Sequence, residues 1–409
     1  MTDSHDQLAQ QLEAGGARID RRDDAPGRPI YAVEFSSGAF DPGITRLLSQ
    51  VDTLRMLRID HIPFTDAMLA ELAGLNQLVA ISLNDALVSD EGFATLAKFR
   101  RLEVLAVDGP LVSEQGVALL AGLPNLKALD LNRTGVGDAI GEIAATWPSI
   151  AWLQLSRTPI TDAALVGLAR VPTLASLHLA YNQIGDAGLA ELAKLPRLQE
   201  LDLQSTQTTD AGLAALSASP SLRRINLNGL PIGDAGLASL AQISGLLDLS
   251  LFHTRITDAG LKSLADATTL ESLGLAGCAI GDAGAAALEK LTALRTLNLS
   301  DTRVGEAALK AVSAMPSLQT LSLAKTRVGD RAVQQLGPLK DLSILELSQT
   351  RIGDGCLDVL SSLKELTELY LYDTRVTPNG VIRLAERLPQ AKIFHESTTS
   401  QRGPNTFVP

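Results

Sequence analysis

The sequence predicts an α/β solenoid with parallel β-strands on a concave face and short helices on a convex face. Two observations predict this fold class. Leu or Ile recurs every 24 residues without a slip through fourteen units, and each unit has an alternating apolar segment followed by apolar residues spaced three and four apart. One such unit is too small to bury its own apolar face, so successive units must stack on one another.

Three aliphatic positions mark the strand of each unit. Position 1 of the repeat is the Leu or Ile found at 54, 78, 102, 126, 150, 174, 198, 222, 246, 270, 294, 318, 342 and 366. Positions 4 and 6 are also aliphatic in every unit, and this two-residue alternation indicates a short strand. Ile30, Val33 and Phe35 have the same spacing one period earlier. We therefore expect about fifteen repeats over residues 30–389, with one extra residue near Arg387 ending the register.

The second half of each unit has the pattern D-A-G-L-x-x-L-A, which indicates a short helix. Position 13 is Asp in eleven of the fourteen units and follows Thr, Ser or Gly, so we expect this acid to serve the helix N-terminus. Position 9 is Thr in eight units and follows the strand closely. Its hydroxyl is expected to satisfy backbone groups in the buried turn.

Both ends of a stacked core need covering, because an open end would expose a layer of leucines. We therefore expect three segments: a capping helix and turn over 1–29, the solenoid over 30–389, and a cap and tail over 390–409. Ser4 and Gln7 have the spacing of a capping box, and Ile393 and Phe394 are expected to complete the core. Residues 397–409 are expected to be a loose tail.

Composition and charge exclude several classes of function. The net charge is −11 and the pI is near 5.0, which argues against a broad surface for nucleic acid or anionic membranes. The sequence has no apolar run of membrane-spanning length, and its first residues do not form a signal peptide. Cys278 and Cys356 lie about three repeats apart, on the order of 15 Å, which is too far for a disulfide. We expect a cytoplasmic protein that is monomeric in isolation and has no membrane partner.

The sequence contains no pattern that supports catalysis. The eleven position-13 aspartates all occupy one structural position, and the five histidines are spread along the chain without zinc-ligand spacing. There is no phosphate-binding glycine loop and no nucleophile elbow. We therefore predict that the protein is not an enzyme and that it holds no cofactor and no metal.

The full pattern, L-x-x-L-x-L-x-x-T-x-[IV]-[TG]-D-A-G-L-x-x-L-A-x-L-P-x, resembles the leucine-rich repeat family over about nine-tenths of the chain. Its [IV]-[TG]-D-A-G-L segment resembles the helix-bearing subtypes related to ribonuclease-inhibitor and F-box-partner repeats. The run Leu12-Glu13-Ala14-Gly15-Gly16, followed by Pro26-Gly27-Arg28-Pro29-Ile30, is similar to bacterial leucine-rich-repeat proteins abundant in planctomycetes. The resemblance implies a horseshoe-shaped solenoid.

Aromatic residues at positions facing away from the leucine layer are the candidate binding residues. The main candidate site groups Trp152, His178 and Tyr181 with Arg133 and Arg157, because these residues lie on neighbouring predicted strands. Asp130, Gln154 and Asp202 would surround this group with polar side chains. The further candidates are Phe252, His253, Tyr370 and Tyr372. The alternative interpretation is cross-strand packing on a hydrated sheet, which also favours aromatic residues.

A row of arginines occupies position 10, just beyond the strand. Its members are Arg255, Arg303, Arg327, Arg351 and Arg375. Two interpretations remain open: a solvated ridge, with part of the repulsion relieved by Asp301 and Asp373, or a docking ridge for an anionic partner.

Together these features predict a non-enzymatic scaffold or adaptor that binds another protein on its concave face. Two alternatives remain open. The first is a regulator, activating or inhibiting, of a nucleotide-hydrolysing or other enzyme, which the resemblance to ribonuclease-inhibitor repeats suggests. The second is an exported effector that acts on host proteins.

Overall fold

The computed structural model describes residues 4–22, 28–36, 41 and 43–396. The predicted tail at 397–409 and the capping box that depends on the Ser4 side chain lie outside the described part of the chain. The chain divides into two compact units, which the sequence analysis did not predict. One comprises Met1–Gln207 with Ala218–Ser221, and the other comprises Thr208–Ser217 with Leu222–Pro409.

The first unit alternates strands with short helices. Its strands are β1 (Arg18–Arg21), β2 (Ile30–Phe35), β3 (Met56–Asp60), β4 (Ala80–Asn84), β5 (Val104–Val107), β6 (Ala128–Asp130), β7 (Trp152–Gln154), β8 (Ser176–His178) and β9 (Glu200–Asp202). Its helices are α1 (Ser4–Ala14), α2 (Gly43–Leu48), α3 (Asp66–Glu71), α4 (Asp90–Leu96), α5 (Glu114–Ala118), α6 (Ile140–Ala144), α7 (Asp162–Leu168) and α8 (Asp186–Leu192). Strands β2 to β9 pair in parallel, so that equal repeat positions lie side by side. Strand β1, which the sequence analysis did not predict, pairs antiparallel with β2.

The second unit continues the same alternation. Its strands are β10 (Arg224–Asn226), β11 (Asp248–Ser250), β12 (Ser272–Gly274), β13 (Thr296–Asn298), β14 (Thr320–Ser322), β15 (Ile344–Glu346), β16 (Glu368–Tyr370) and β17 (Lys392–Phe394). Its helices are α9 (Asp210–Leu216), α10 (Asp234–Leu240), α11 (Asp258–Leu261), α12 (Asp282–Ala286), α13 (Glu306–Val312), α14 (Asp330–Val333), α15 (Leu357–Ser362) and α16 (Pro378–Arg387), with 3-10 turns at Lys262–Leu264, Gln334–Leu336 and Asp354–Cys356. Strands β10 to β17 are also parallel and in register. The predicted α/β repeat solenoid is confirmed.

The core of each unit is the aliphatic layer that the period predicts. No residue at position 1, 4 or 6 in the fourteen units is more than 3% exposed. All eight position-9 threonines donate their hydroxyl to the position-6 carbonyl of their own unit, at 2.6–2.9 Å, as predicted. Asn182 and Cys278 replace this threonine in two units and reach the position-6 carbonyl of the preceding unit instead.

The position-13 acid is not the capping residue of its own helix, contrary to the expectation from the sequence. The helix cap is the residue before the acid; for example, the Thr161 hydroxyl accepts a hydrogen bond from the backbone N–H of Ala163. In eleven units the carboxylate accepts instead from the backbone N–H at position 12 of the following unit, at 2.6–3.0 Å. We call this bond the carboxylate staple, because it ties each helix to the start of the next.

The carboxylate staple also explains the glycines at position 15. A Cβ atom at seven of them would lie within 3.0 Å of the carboxylate of the preceding unit. These seven are Gly92, Gly116, Gly188, Gly236, Gly260, Gly284 and Gly380. In these units the acid and the glycine, 26 residues apart in sequence, lie against each other, whereas the units with Ala164, Ala308 and Cys356 at position 15 keep the staple beside a Cβ.

The chain leaves each of the strands β3 to β16 through a left-handed residue at position 8. All fourteen of these residues have positive φ, and the eleven that are not glycine have φ between +52° and +60°. Such a conformation costs on the order of 1 kcal/mol for a residue with a side chain. Stacking holds it in place, because in ten units the position-8 N–H donates to a carbonyl of the next unit, as from Arg157 to Ala180 at 2.9 Å.

The C-terminal strand β17 differs from the prediction in one respect. Phe394 is in register with Tyr370, on the face away from the leucine layer, and the two rings stack at 4.5 Å with an interplanar angle of 8°. Phe394 is therefore not a core residue as predicted, because β17 places Ile393, not Phe394, beside the buried Leu369. None of the helices among the described residues is long and apolar enough to cross a membrane.

Candidate protein-binding surface

The open face of the first unit is the side of its sheet that carries positions 3, 5 and 7, away from the leucine layer. Trp152 lies there at position 3 of β7, and His178 lies at position 5 of the neighbouring strand β8. Their ring centroids are 6.0 Å apart and the rings are tilted by 56°. Both side chains are half-buried, so each offers part of its ring to a partner. The structure brings these two predicted residues together.

Tyr181 and Arg157 form a second contact beside this pair. The Arg157 guanidinium carbon lies 3.9 Å from the centroid of the Tyr181 ring, which is a cation–π arrangement. Tyr181 is 43% exposed, and its hydroxyl accepts a hydrogen bond from Gln204 Nε2 at 2.8 Å. The ring is therefore held in one orientation while much of its surface remains open.

Arg133, the other predicted arginine, is held by carboxylates. Its guanidinium forms ion pairs with Asp108 and, at 2.8 Å, with Asp85. The hydrogen bond to Asp108 raises the pKa of Arg133 above its usual value. Since Asp108 is buried, this pair also balances a carboxylate removed from water.

The predicted polar surround of His178 is acidic. Its ring nitrogens lie 3.6 Å from Glu200 and 3.8 Å from Asp202, and Ser176 Oγ is 3.0 Å away. On the other side, Gln154 separates His178 from Asp130 in the register of β6 to β8. Burial raises the pKa of Asp130, although the backbone N–H of Asn132 donates to it at 2.9 Å and lowers the pKa in part.

An apolar row, which the sequence analysis missed, leads across the open face to Trp152. Its members occupy position 3 of consecutive strands and pair directly with one another: Ala32, Met56, Ala80, Val104, Ala128 and Trp152. Met56 and Val104 are 44% and 41% exposed. The row crosses five strand spacings, about 24 Å, and ends at the polar Ser176. The signal was present in the sequence, because position 3 is apolar in six consecutive units and polar in the next.

The candidates in the second unit pack mainly against their own sheet. Phe252 covers Gly274 and His253 covers Gly277, since a Cβ atom at either glycine would lie within 3.0 Å of the ring. Tyr370 stacks on Phe394 and donates its hydroxyl to Glu368 at 2.6 Å, and burial raises its pKa. Tyr372 is half-buried. These contacts favour cross-strand packing for Phe252, His253 and Tyr370.

The arginines of the position-10 row differ from Arg133, which is held by carboxylates. All five side chains are exposed, and within the described part of the chain none of them forms an ion pair or a side-chain hydrogen bond. These are Arg255, Arg303, Arg327, Arg351 and Arg375. Asp373, which was expected to relieve their repulsion, accepts a hydrogen bond from Gln349 at 3.1 Å instead.

Comparison with known proteins supports the leucine-rich repeat family. The family model described as Leucine Rich repeat matches residues 172–193, 246–265 and 266–288. No curated protein matches the chain in sequence. An internalin from Listeria monocytogenes has a similar structure, with a TM-score of 0.57 and 20% identity, over 85% of this chain and 95% of that one. A leucine-rich-repeat protein from Leptospira interrogans gives a TM-score of 0.56 and 18% identity, over 85% of this chain and 91% of that one. At these identities the likeness shows the fold alone.

Proposed function

We propose that this leucine-rich-repeat chain is a non-enzymatic protein-binding module whose partner docks on the open face of the first unit. Leucine-rich-repeat proteins are generally protein–protein interaction scaffolds. The observation that carries the proposal is the apolar row ending in the cluster of Trp152, His178, Tyr181 and Arg157. Half-exposed apolar and aromatic side chains on a rigid surface are the usual anchors of protein interfaces.

The geometry supports a partner with two kinds of contact. The apolar row from Met56 to Trp152 would pack against an apolar stripe on the partner. Neighbouring members of the row lie about 5 Å apart, which leaves room for the partner's side chains to insert between them. A basic side chain would complement the carboxylates of Asp130, Glu200 and Asp202, which lie beside the aromatic cluster. Arg157 is already stacked on Tyr181, so little side-chain entropy would be lost when the partner covers it.

The repeat pattern supports the finer assignments. The D-A-G-L segment and the short helix in each unit favour the ribonuclease-inhibitor-like or F-box-partner-like subtype. We further propose a cytoplasmic scaffold or adaptor of bacterial origin, similar to the planctomycete proteins, which is monomeric in isolation.

The proposal is tested by affinity capture from a lysate of the source organism, with the full chain as bait. Three baits are compared by mass spectrometry: the unchanged chain, Trp152→Ala with Tyr181→Ala, and Leu119→Ala with Val166→Ala. Leu119 and Val166 are 48% and 45% exposed and belong to the helical side of their units, so they control for the loss of apolar surface. We expect the partner to be lost with the aromatic variant alone. Equal recovery with all three baits would rule out this surface as the main site.

A further inference from the structure

The second unit presents a continuous strip of positive charge at one edge of its sheet. Arg303, Arg327, Arg351 and Arg375 occupy position 10 of four successive units, and Lys325 lies two residues before Arg327 at position 8. We call these five residues the cationic strip. Each of them is exposed, and in the described part of the chain none has an anionic partner.

The surroundings of the strip leave the guanidinium groups open. A depression of about 690 Å³ is lined by Arg303, Lys325, Arg327 and Arg351, together with position-9 threonines, Gln349 and Asp373. On the helix side, position 12 is Gly in three of these four units and Thr377 in the last, and a Cβ atom at Gly329 or Gly353 would only just touch the Cβ of the next unit's arginine, at 4.0 and 3.7 Å. In the three units with glycine, no side chain at position 12 covers the arginines.

Like charges this close are unfavourable without counter-charges. Strands stack about 4.8 Å apart, so the four arginines project from points about 5 Å from their neighbours. The two nearby carboxylates, Asp301 and Asp373, form no ion pair with the strip among the described residues, and they offset only two of its five positive charges. The strip contains five positive charges, in a chain whose net charge is −11.

We propose that the cationic strip is a docking site for a short acidic segment of a partner protein. Each guanidinium can take a carboxylate through two parallel hydrogen bonds, and the repulsion between neighbouring arginines disappears when a carboxylate lies between them. The strip spans three strand spacings, about 14 Å, which matches an extended segment of four or five residues. A nucleic acid would extend its phosphates beyond the strip over a negatively charged protein, so the short acidic peptide fits better.

The cationic strip and the proposed site of the first unit share no residue. The two proposals can therefore succeed or fail independently of each other.

The test measures binding of a fluorescein-labelled eight-residue peptide of alternating Asp and Glu to the full chain by fluorescence anisotropy at low ionic strength. Arg327→Ala with Arg351→Ala should weaken binding at least about tenfold, whereas Lys310→Ala with Arg331→Ala should change it less than about twofold. The control removes the same charge from helices α13 and α14 of the same unit. Arg327→Lys with Arg351→Lys keeps the charge but loses the paired hydrogen bonds, and should still weaken binding about threefold or more.

Three results would overturn the proposal. The strip and control variants could bind the peptide equally well, or the matching Asn/Gln peptide could bind as tightly as the acidic one. A single-stranded RNA of equal charge could also bind more tightly than the peptide, which would identify a different ligand. Thermal melting by circular dichroism confirms that each variant is folded, which is expected because none of the substituted side chains packs in the core.

Discussion

The same position of the repeat has opposite chemistry in the two units. In the first unit, position 10 carries Pro63, Leu87 and Leu111 in succession, and the two leucines are 50% and 53% exposed. In the second unit the position carries four successive arginines. The backbone and the register are the same in both units. The difference in surface chemistry at this edge of the sheet therefore comes from the side chains at position 10 alone.

The two units also differ in how they treat charge. Several cations on and beside the open face of the first unit are paired with carboxylates: Arg58 with Asp60, Lys127 with Glu103, and Arg133 with Asp85 and Asp108. The cationic strip of the second unit has no such pairs among the described residues. A surface whose cations are already paired offers a partner its apolar groups and its remaining carboxylates, whereas a surface with unpaired cations offers the cations themselves.

The largest expected effect is on stability, from substitution of the position-15 glycines that both units contain. Gly92→Ala in the first unit and Gly260→Ala in the second should each lower the free energy of unfolding by about 1–3 kcal/mol, because the new Cβ overlaps the carboxylate of the preceding unit and forces it to shift. Gly74→Ala, with open space around it, should be nearly neutral. Chemical denaturation followed by circular dichroism measures all three. In an Asp234→Ala background, Gly260→Ala should cost clearly less, since the obstructing carboxylate is gone. An unchanged cost there would refute the staple.

The second effect is on binding by the open face of the first unit. Trp152→Ala with Tyr181→Ala should weaken partner binding at least about tenfold, or about 1.4 kcal/mol, with little change in melting temperature. Neither residue belongs to the leucine layer. Isothermal titration calorimetry with the captured partner provides the measurement, and Leu119→Ala with Val166→Ala is the control. A large loss of stability would instead show that the Trp152 ring is part of the packing.

The contrast in charge predicts a smaller, asymmetric effect on stability. Arg133→Ala should lower the free energy of unfolding by about 1 kcal/mol, because it leaves the buried Asp108 without its cation. Arg351→Ala should leave stability unchanged within about 0.5 kcal/mol, since that side chain has no partner to lose. Urea denaturation of the two variants under the same conditions measures both changes in the free energy of unfolding. Equal losses would remove the distinction between a paired and an unpaired surface.

The smallest effect is a pH dependence at Asp130. Burial raises its pKa above 3.8, so the folded protein binds the proton more tightly than the unfolded chain does. Stability should therefore fall as the pH rises from about 3.8 through the folded pKa, and stay level above it. Asp130→Asn should abolish this component and stabilise the protein at neutral pH by about 0.5 kcal/mol. Melting temperatures measured across this pH range provide the test, and parallel curves for the two proteins would contradict it.

Two features of the candidate surface show how far sequence reasoning reaches. The contact of Trp152 with His178 was predictable, because parallel strands in register place position 5 of the next strand diagonally across from position 3, within reach of large side chains. The pairing of Arg133 with Asp108 was not, although both sit in the same kind of turn. A long side chain at position 8 can reach an aromatic ring on one side or a carboxylate on the other, and the repeat pattern does not decide between them.

The sequence by itself determined the period, the strand and helix in each unit, the buried aliphatic layer and the role of the position-9 threonines. All of these follow from local alternation and from the need to bury apolar surface, which act on each unit in the same way. Only the tertiary structure decided the partner of each position-13 acid, the left-handed turn at position 8, and which charges are paired. These depend on groups 23 to 48 residues away in sequence, which stacking brings within hydrogen-bonding distance. The backbone geometry between units decides which neighbouring unit a side chain contacts, and the sequence of a single unit does not specify this.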